Sequence, residues 1–178
     1  MSNDIFKVFV LEDMPVDMEL VKRQVRKFNP AVLFAVARNR QEFTDKLVDF
    51  QPDIVLSDYN LPDMNGLEAL LYVRERLDRT PFIFITGILN DEEKVAETIL
   101  RGASGYLLKE NLRNLPELLA AVLDRNTQVL KDREKEWEQR RNNQVLLQKS
   151  IAKIRATELD NRDDIIIALQ QVADSLLA

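Results

Sequence analysis

Over the first two thirds of the chain, short apolar runs alternate with longer stretches of helical spacing. Residues 5–11, 32–36, 54–57, 82–86 and 105–108 are rich in Val, Ile, Leu and Phe and too short for helices, which predicts five strands. Residues 16–28, 40–50, 66–77, 91–101 and the stretch from Asn114 onward carry apolar positions at helical intervals, often behind a Pro, Asn or Asp start signal. Strand then helix, five times over, requires crossover connections and a parallel sheet covered on both faces. Strands buried on both faces read as continuous apolar runs, as these do. In such sheets ligands sit beyond the carboxyl ends of the strands, so candidate chemistry belongs there.

The pattern changes after Pro116. All four Gly and all six Pro lie at or before that residue, leaving the 62 residues 117–178 without either helix breaker. The division expected is a domain over residues 1–124 and a helical extension over 125–178. Up to Asp124 there are 15 Lys and Arg against 21 Asp and Glu, and from Arg125 on 10 against 9, so the acidic excess belongs to the first part. In the extension, a seven-residue register runs through Leu123, Leu130, Trp137, Gln144, Ile151, Glu158, Ile165 and Val172, apolar at six of eight positions. Its companion register, Asn126, Arg133, Arg140, Leu147, Ile154, Asn161, Ala168 and Ser175, is a poor second stripe for a coiled coil. Three readings compete: a signalling helix pairing with its copy in a parallel homodimer, a helix pair folding back on itself, and a solvated linker. Pairing is favoured, with a break expected near residues 160–164, where Asn161 or Asp163 can cap a new helix. That last segment resembles the lead-in helix of a sensory or output domain, so the natural chain is expected to continue beyond it.

Composition narrows the chemistry. Of 178 residues, 46% are hydrophobic and 31% charged, which suits a globular chain able to bury a core. The apolar runs fall far short of the roughly 20 residues that cross a bilayer, and no signal-peptide pattern opens the chain. With no Cys there is neither thiol chemistry nor a disulfide framework, and a cytoplasmic location is the default expectation. With no His, the chain cannot itself carry a phosphohistidine. A net charge of -5 gives no electrostatic footprint for direct nucleic-acid binding.

At the predicted strand ends stand Glu12-Asp13, Asp58, Thr86-Gly87 and, just past the fifth strand, Lys109. Three carboxylates crowded on one rim repel one another unless a cation neutralises them, and Mg²⁺ is the natural hard-cation partner. The Thr86 hydroxyl and Lys109 ammonium add donors suited to the oxygens of a phosphoryl group, so the set fits phosphoryl transfer to a carboxylate. Each element alone has a bland reading: a capping or solvated Glu-Asp turn, a solvated Lys, a Thr-Gly turn. Four strand ends carrying the required types in the required order favour function.

These residues also resemble a known family. Val8 to Asp13, Asp53 to Gly66 with its Ser57-Asp58-Tyr59-Asn60-Leu61-Pro62, Ile85-Thr86-Gly87 and Gly102 to Lys109 resemble the receiver domain of two-component response regulators, over residues 4–124. The resemblance implies a flavodoxin-like, doubly wound α/β fold with sheet order 2-1-3-4-5 and five helices, followed here by the helical, coiled-coil-like extension. It implies that Asp58 is the phosphoacceptor, that Glu12 and Asp13 form the acidic pocket, and that Mg²⁺ is held by Asp13, Asp58 and the Asn60 carbonyl. Thr86 and Lys109 would contact the phosphoryl oxygens, and Tyr106 would be the aromatic that turns inward when Thr86 moves. The implied partners are a histidine kinase or phosphotransfer protein and a downstream output domain or protein.

One departure stands out: the family usually has Pro, often cis, after the Lys, whereas Glu110 follows Lys109. A cis bond before a non-Pro residue costs about 2.5–4 kcal/mol, so either the loop is trans and Lys109 approaches differently, or the strain is tolerated. Two rivals differ in class. A Mg²⁺-dependent phosphohydrolase of the haloacid-dehalogenase type would want Asp-x-Asp after the first strand, but Asp58 is followed by Tyr59-Asn60 and no cap insertion is visible. A receiver that only binds proteins, unphosphorylated, would have no need of the intact Glu12, Asp13, Asp58, Thr86 and Lys109 set.

Overall fold

A computed structural model of the protein describes residues 5–87, 99–155, 163, 165–167 and 169. Along them run β1 (Lys7–Leu11), α1 (Pro15–Phe28), β2 (Leu33–Ala37), α2 (Arg40–Phe50), β3 (Ile54–Ser57), α3 (Gly66–Arg76), β4 (Phe82–Thr86), β5 (Gly105–Leu108), a short 3-10 turn (Lys109–Asn114) and α4 (Leu115–Arg155). Of the helix expected over 91–101, residues 91–98 lie outside the described residues, and 99 and 100 are helical. The chain divides into two compact units, Met1–Asn126 and Thr127–Ala178.

The first unit is built on one parallel sheet with strand order β2-β1-β3-β4-β5. Because successive strand residues point to opposite faces, each strand feeds two cores. Val8, Val10, Ile54, Leu56, Ile83 and Ile85 pack with Met18, Val21 and Val25 of α1 and with Leu115, Leu119 and Val122 of α4. The intervening Phe9, Leu11, Val55, Phe82 and Phe84 pack with Phe43 and Leu47 of α2 and Ala69, Leu70 and Val73 of α3. This second layer is aromatic, with Phe9 edge-on to Phe43 at 5.5 Å and Phe82 tilted against Phe84 at 4.9 Å between centroids.

Local signals set where the helices begin. Pro15 occupies the first turn of α1, where its missing N–H costs nothing. Asn39 accepts the Glu42 N–H at the start of α2, and Asn65 and Glu68 close a reciprocal capping box at the start of α3. The first strand starts two residues later than its apolar run, at the Lys7–Leu33 pair, where the Lys7 N–H donates to the Asp53 carboxylate at 2.7 Å. The second strand reaches Ala37, one residue beyond its predicted end.

In the second unit the helix continues to Arg155. Ile151 and Ile166 are buried, whereas Trp137 is 61% exposed and Leu146 and Val145 are exposed as well. Of the break expected at 160–164, Asp163 is helical and the rest lies outside the described residues. No helix of the described residues is long and apolar enough to cross a membrane.

The packing makes a direct prediction for α4. Leu119→Ala should lower unfolding free energy by about 2–5 kcal/mol because it empties a fully buried position, while Val16→Ala on the exposed face of α1 should change it by less than about 0.5 kcal/mol. Urea denaturation followed by circular dichroism reads both.

Candidate functional site

The carboxyl ends of β1, β3 and β4 bring the candidate residues to one edge of the sheet. Glu12 follows β1 and is buried, its N–H donating to the Ala37 carbonyl at 3.0 Å and its Oε1 accepting the Met14 N–H at 3.1 Å. Asp13 beside it is half-buried. Asp58 follows β3, with only 8% of its surface exposed, and its N–H donates to the Leu11 carbonyl at 2.9 Å, locking it to the end of β1. One ligand oxygen from each of Glu12, Asp13 and Asp58 can be chosen so that all lie within 4.8 Å of one another. Three hard carboxylate oxygens so spaced fit a small divalent cation such as Mg²⁺.

Lys109 brings a positive charge to two members of this cluster. Its Nζ lies 2.8 Å from Glu12 Oε2, 2.7 Å from Asp58 Oδ2 and 2.7 Å from Asp17 Oδ2. Burial works against the ammonium charge, but the hydrogen bonds it donates to Asp17, Asp58 and Glu12 outweigh it and hold the Lys109 pKa above its ordinary value. Glu12 is pushed up, first by burial, with Lys109 pulling it back and Asp58 adding repulsion. The Lys109–Glu110 bond is trans, as are all peptide bonds among the described residues, and Lys109 opens the 3-10 turn directly. The first of the two alternatives for this loop is therefore the one adopted.

Thr86 ends β4, one strand over from Asp58, and its buried hydroxyl has no hydrogen-bond partner among the described residues. A buried hydroxyl left unmatched costs about 1–3 kcal/mol. Asn60 donates its N–H to Asp58 Oδ1 at 3.2 Å and bridges to Asn65 across the loop. The loop closes where the Gly66 N–H donates to the Tyr59 carbonyl at 2.7 Å. Tyr106 in β5 is half-buried against the aromatic core, and burial, with Asp58 and Tyr59 contributing, raises its phenol pKa.

Of the described residues brought together here, Glu12, Asp13, Asp58 and Lys109 are candidates from the sequence and Asp17 is not. The available signal was the Pro15 start of α1: a helix first turn directly after a strand end lies on the ligand-binding edge, so an acid there faces the same rim.

Comparison with known proteins identifies the family. Residues 8–123 match the family described as response regulator receiver domain. The chain is 31% identical over 106 residues to the transcriptional regulatory protein LnrK of Bacillus subtilis, covering 60% of this chain and 48% of that one. It is 32% identical over 103 residues to the nitrate/nitrite response regulator protein NarL of Escherichia coli K12, covering 58% and 47%. The chain thus spans about half the length of these curated relatives. A CheY-like receiver domain protein from Methanospirillum hungatei JF-1 shares the fold, with a TM-score of 0.62 at 23% identity over 70% of this chain and 98% of that one. This chain belongs to the response regulator receiver domain family.

Gly66 is the position where a side chain cannot be added. A Cβ there would lie 2.6 Å from Phe84 Cε1, 2.8 Å from Tyr59 Cα and 2.9 Å from the Asp58 carbonyl oxygen. Gly66→Ala should therefore destabilise the fold by about 1–3 kcal/mol, measurable in chemical denaturation, because the backbone bearing Asp58 has to shift.

Proposed function

We propose that this chain is a phosphoryl-accepting switch in a two-component phosphorelay, with Asp58 as the acceptor. The observation that carries the reading is one buried carboxylate, Asp58, with an ammonium 2.7 Å from one oxygen and two further carboxylates close enough to share a cation. These 178 residues hold no His, so the donor histidine lies outside them, on a histidine kinase or phosphotransfer protein. Asp58 Oδ attacks phosphorus, the bond from phosphorus to the donor imidazole nitrogen breaks, and the imidazole keeps the electron pair and takes up a proton.

Glu12, Asp13, Asp58 and the Asn60 carbonyl are the groups that would hold Mg²⁺, which when bound neutralises charge on the transferring phosphoryl oxygens. Lys109 and the unmatched Thr86 hydroxyl supply donors to those oxygens. Movement of Thr86 toward them opens space on the side where Tyr106 packs, and the ring follows. The chemistry acts on the chain itself, so the protein is a phosphoacceptor rather than an enzyme with a separate substrate. Output passes to a partner protein or downstream domain, with α4 and its pairing face as the relay.

In the expected labelling result, wild-type protein exposed to acetyl phosphate gains one phosphoryl group only with Mg²⁺, and Asp58→Asn gains none by intact mass. Undiminished labelling of the Asn variant contradicts the assignment.

The core of the first unit ends with Leu123, the last α4 residue packed against it. A chain ending at Asp124 should thus remain folded, phosphorylatable and monomeric in light scattering, while the full chain self-associates through the register containing Leu130 and Trp137. A full chain that stays monomeric at every concentration would make the extension a linker.

A further inference from the structure

Among the described residues, Asp17 is the one carboxylate on Lys109 that does not belong to the cation cluster. It stands in the first turn of α1, and its Oδ2 lies 2.7 Å from the ammonium, as close as Asp58 Oδ2. Two of the three anions holding Lys109, Glu12 and Asp58, are the same groups that would face a divalent cation. Ammonium and cation therefore compete for the same two carboxylates. A cation entering the cluster strips Lys109 of two partners and places a positive charge near it, which favours moving the ammonium aside. Asp17 offers it a place to go. It is about one third exposed and anchored on a helix rather than on a loop, and a carboxylate in the first turn of a helix is favoured by the helix dipole.

Resting on the Mg²⁺ reading above, we propose that Asp17 is a positioning residue that receives the Lys109 ammonium when the cation binds, and so sets cation affinity through Lys109. Without it the ammonium stays committed to Glu12 and Asp58, and the cation must displace it at greater cost. Asp17 does not touch the cation in this account. Its entire effect passes through the lysine, which separates it from a residue that merely adds negative charge to the rim.

The test is calorimetric titration with Mg²⁺ alone on the full chain, in wild type, Asp17→Asn, Asp17→Glu, Lys109→Ala and the Asp17→Asn/Lys109→Ala double variant, each first verified as folded by circular dichroism. Asp17→Asn should weaken Mg²⁺ binding about fivefold, at the low end of couplings between linked sites, and Asp17→Glu should restore most of it. Lys109→Ala should bind Mg²⁺ more tightly than wild type because the competing cation is gone. In that background Asp17→Asn should change the affinity less than about twofold, the non-additivity expected of residues in contact. Equal loss from Asp17→Asn in both backgrounds would overturn the proposal, since Asp17 would then act as a bare charge, and wild-type affinity in Asp17→Asn would overturn it outright. A wild-type chain that binds no Mg²⁺ would refute the cation reading itself, a separate result.

Discussion

Everything at the rim of this sheet depends on one ammonium group satisfying three carboxylates. Glu12 and Asp58 are almost wholly buried, and carboxylates this close repel each other unless a cation stands between them. Lys109 reaches both and Asp17 besides, at hydrogen-bond distances. Removing one partner of a buried ionic set costs on the order of 3–5 kcal/mol because the remaining charge is stranded. One ammonium offsets only part of the negative charge of Glu12, Asp13, Asp17 and Asp58, which leaves the cluster suited to a further cation.

The fold supplies the rigidity this requires. Asp58 and Glu12 are fixed by backbone hydrogen bonds to strand ends, Asp58 N–H to the Leu11 carbonyl and Glu12 N–H to the Ala37 carbonyl, so neither depends on a flexible loop. Beneath them, two cores on opposite faces of β1, β3 and β4 bury the strands completely. The loop beyond Asp58 is tied at both ends, by the Tyr59–Gly66 hydrogen bond and by the Arg40 N–H donating to the Asp63 carboxylate at 2.9 Å. Lys109, by contrast, sits at the head of a 3-10 turn, and the Thr86 hydroxyl has no partner among the described residues.

Strand positions and the acidic cluster were legible in the sequence because they depend on local facts. Apolar runs such as 54–57 and 82–86 are buried on both faces, so burial and sequence carry the same signal. Glu12, Asp13, Asp58, Thr86 and Lys109 each follow such a run or end it, which places them on one edge. Asp17 was not legible in this way, because its role arises from the position of a helix turn relative to Lys109, 92 residues away. The trans bond at Lys109–Glu110 was equally open, since residue types alone left two loop geometries standing. The need for Gly at position 66 depends on contacts with Phe84 and the Asp58 carbonyl that no spacing rule encodes. In the extension, a heptad register predicted one apolar seam, yet Ile151 is buried and Trp137 is not, because a register fixes which residues share a face and not what covers them.

The central claim is that Lys109 is the resident counter-charge of the carboxylate cluster and yields when a cation arrives. Its most direct test is nuclear magnetic resonance of the lysine side-chain ammonium groups in ¹⁵N-labelled protein, recorded through a Mg²⁺ titration. The account predicts a slowly exchanging, hydrogen-bonded Lys109 ammonium signal that moves as Mg²⁺ binds and stops moving at saturation of the site. A Lys109 signal that is unchanged at saturating Mg²⁺, while the backbone amides of Asp13 and Asp58 shift, would contradict it.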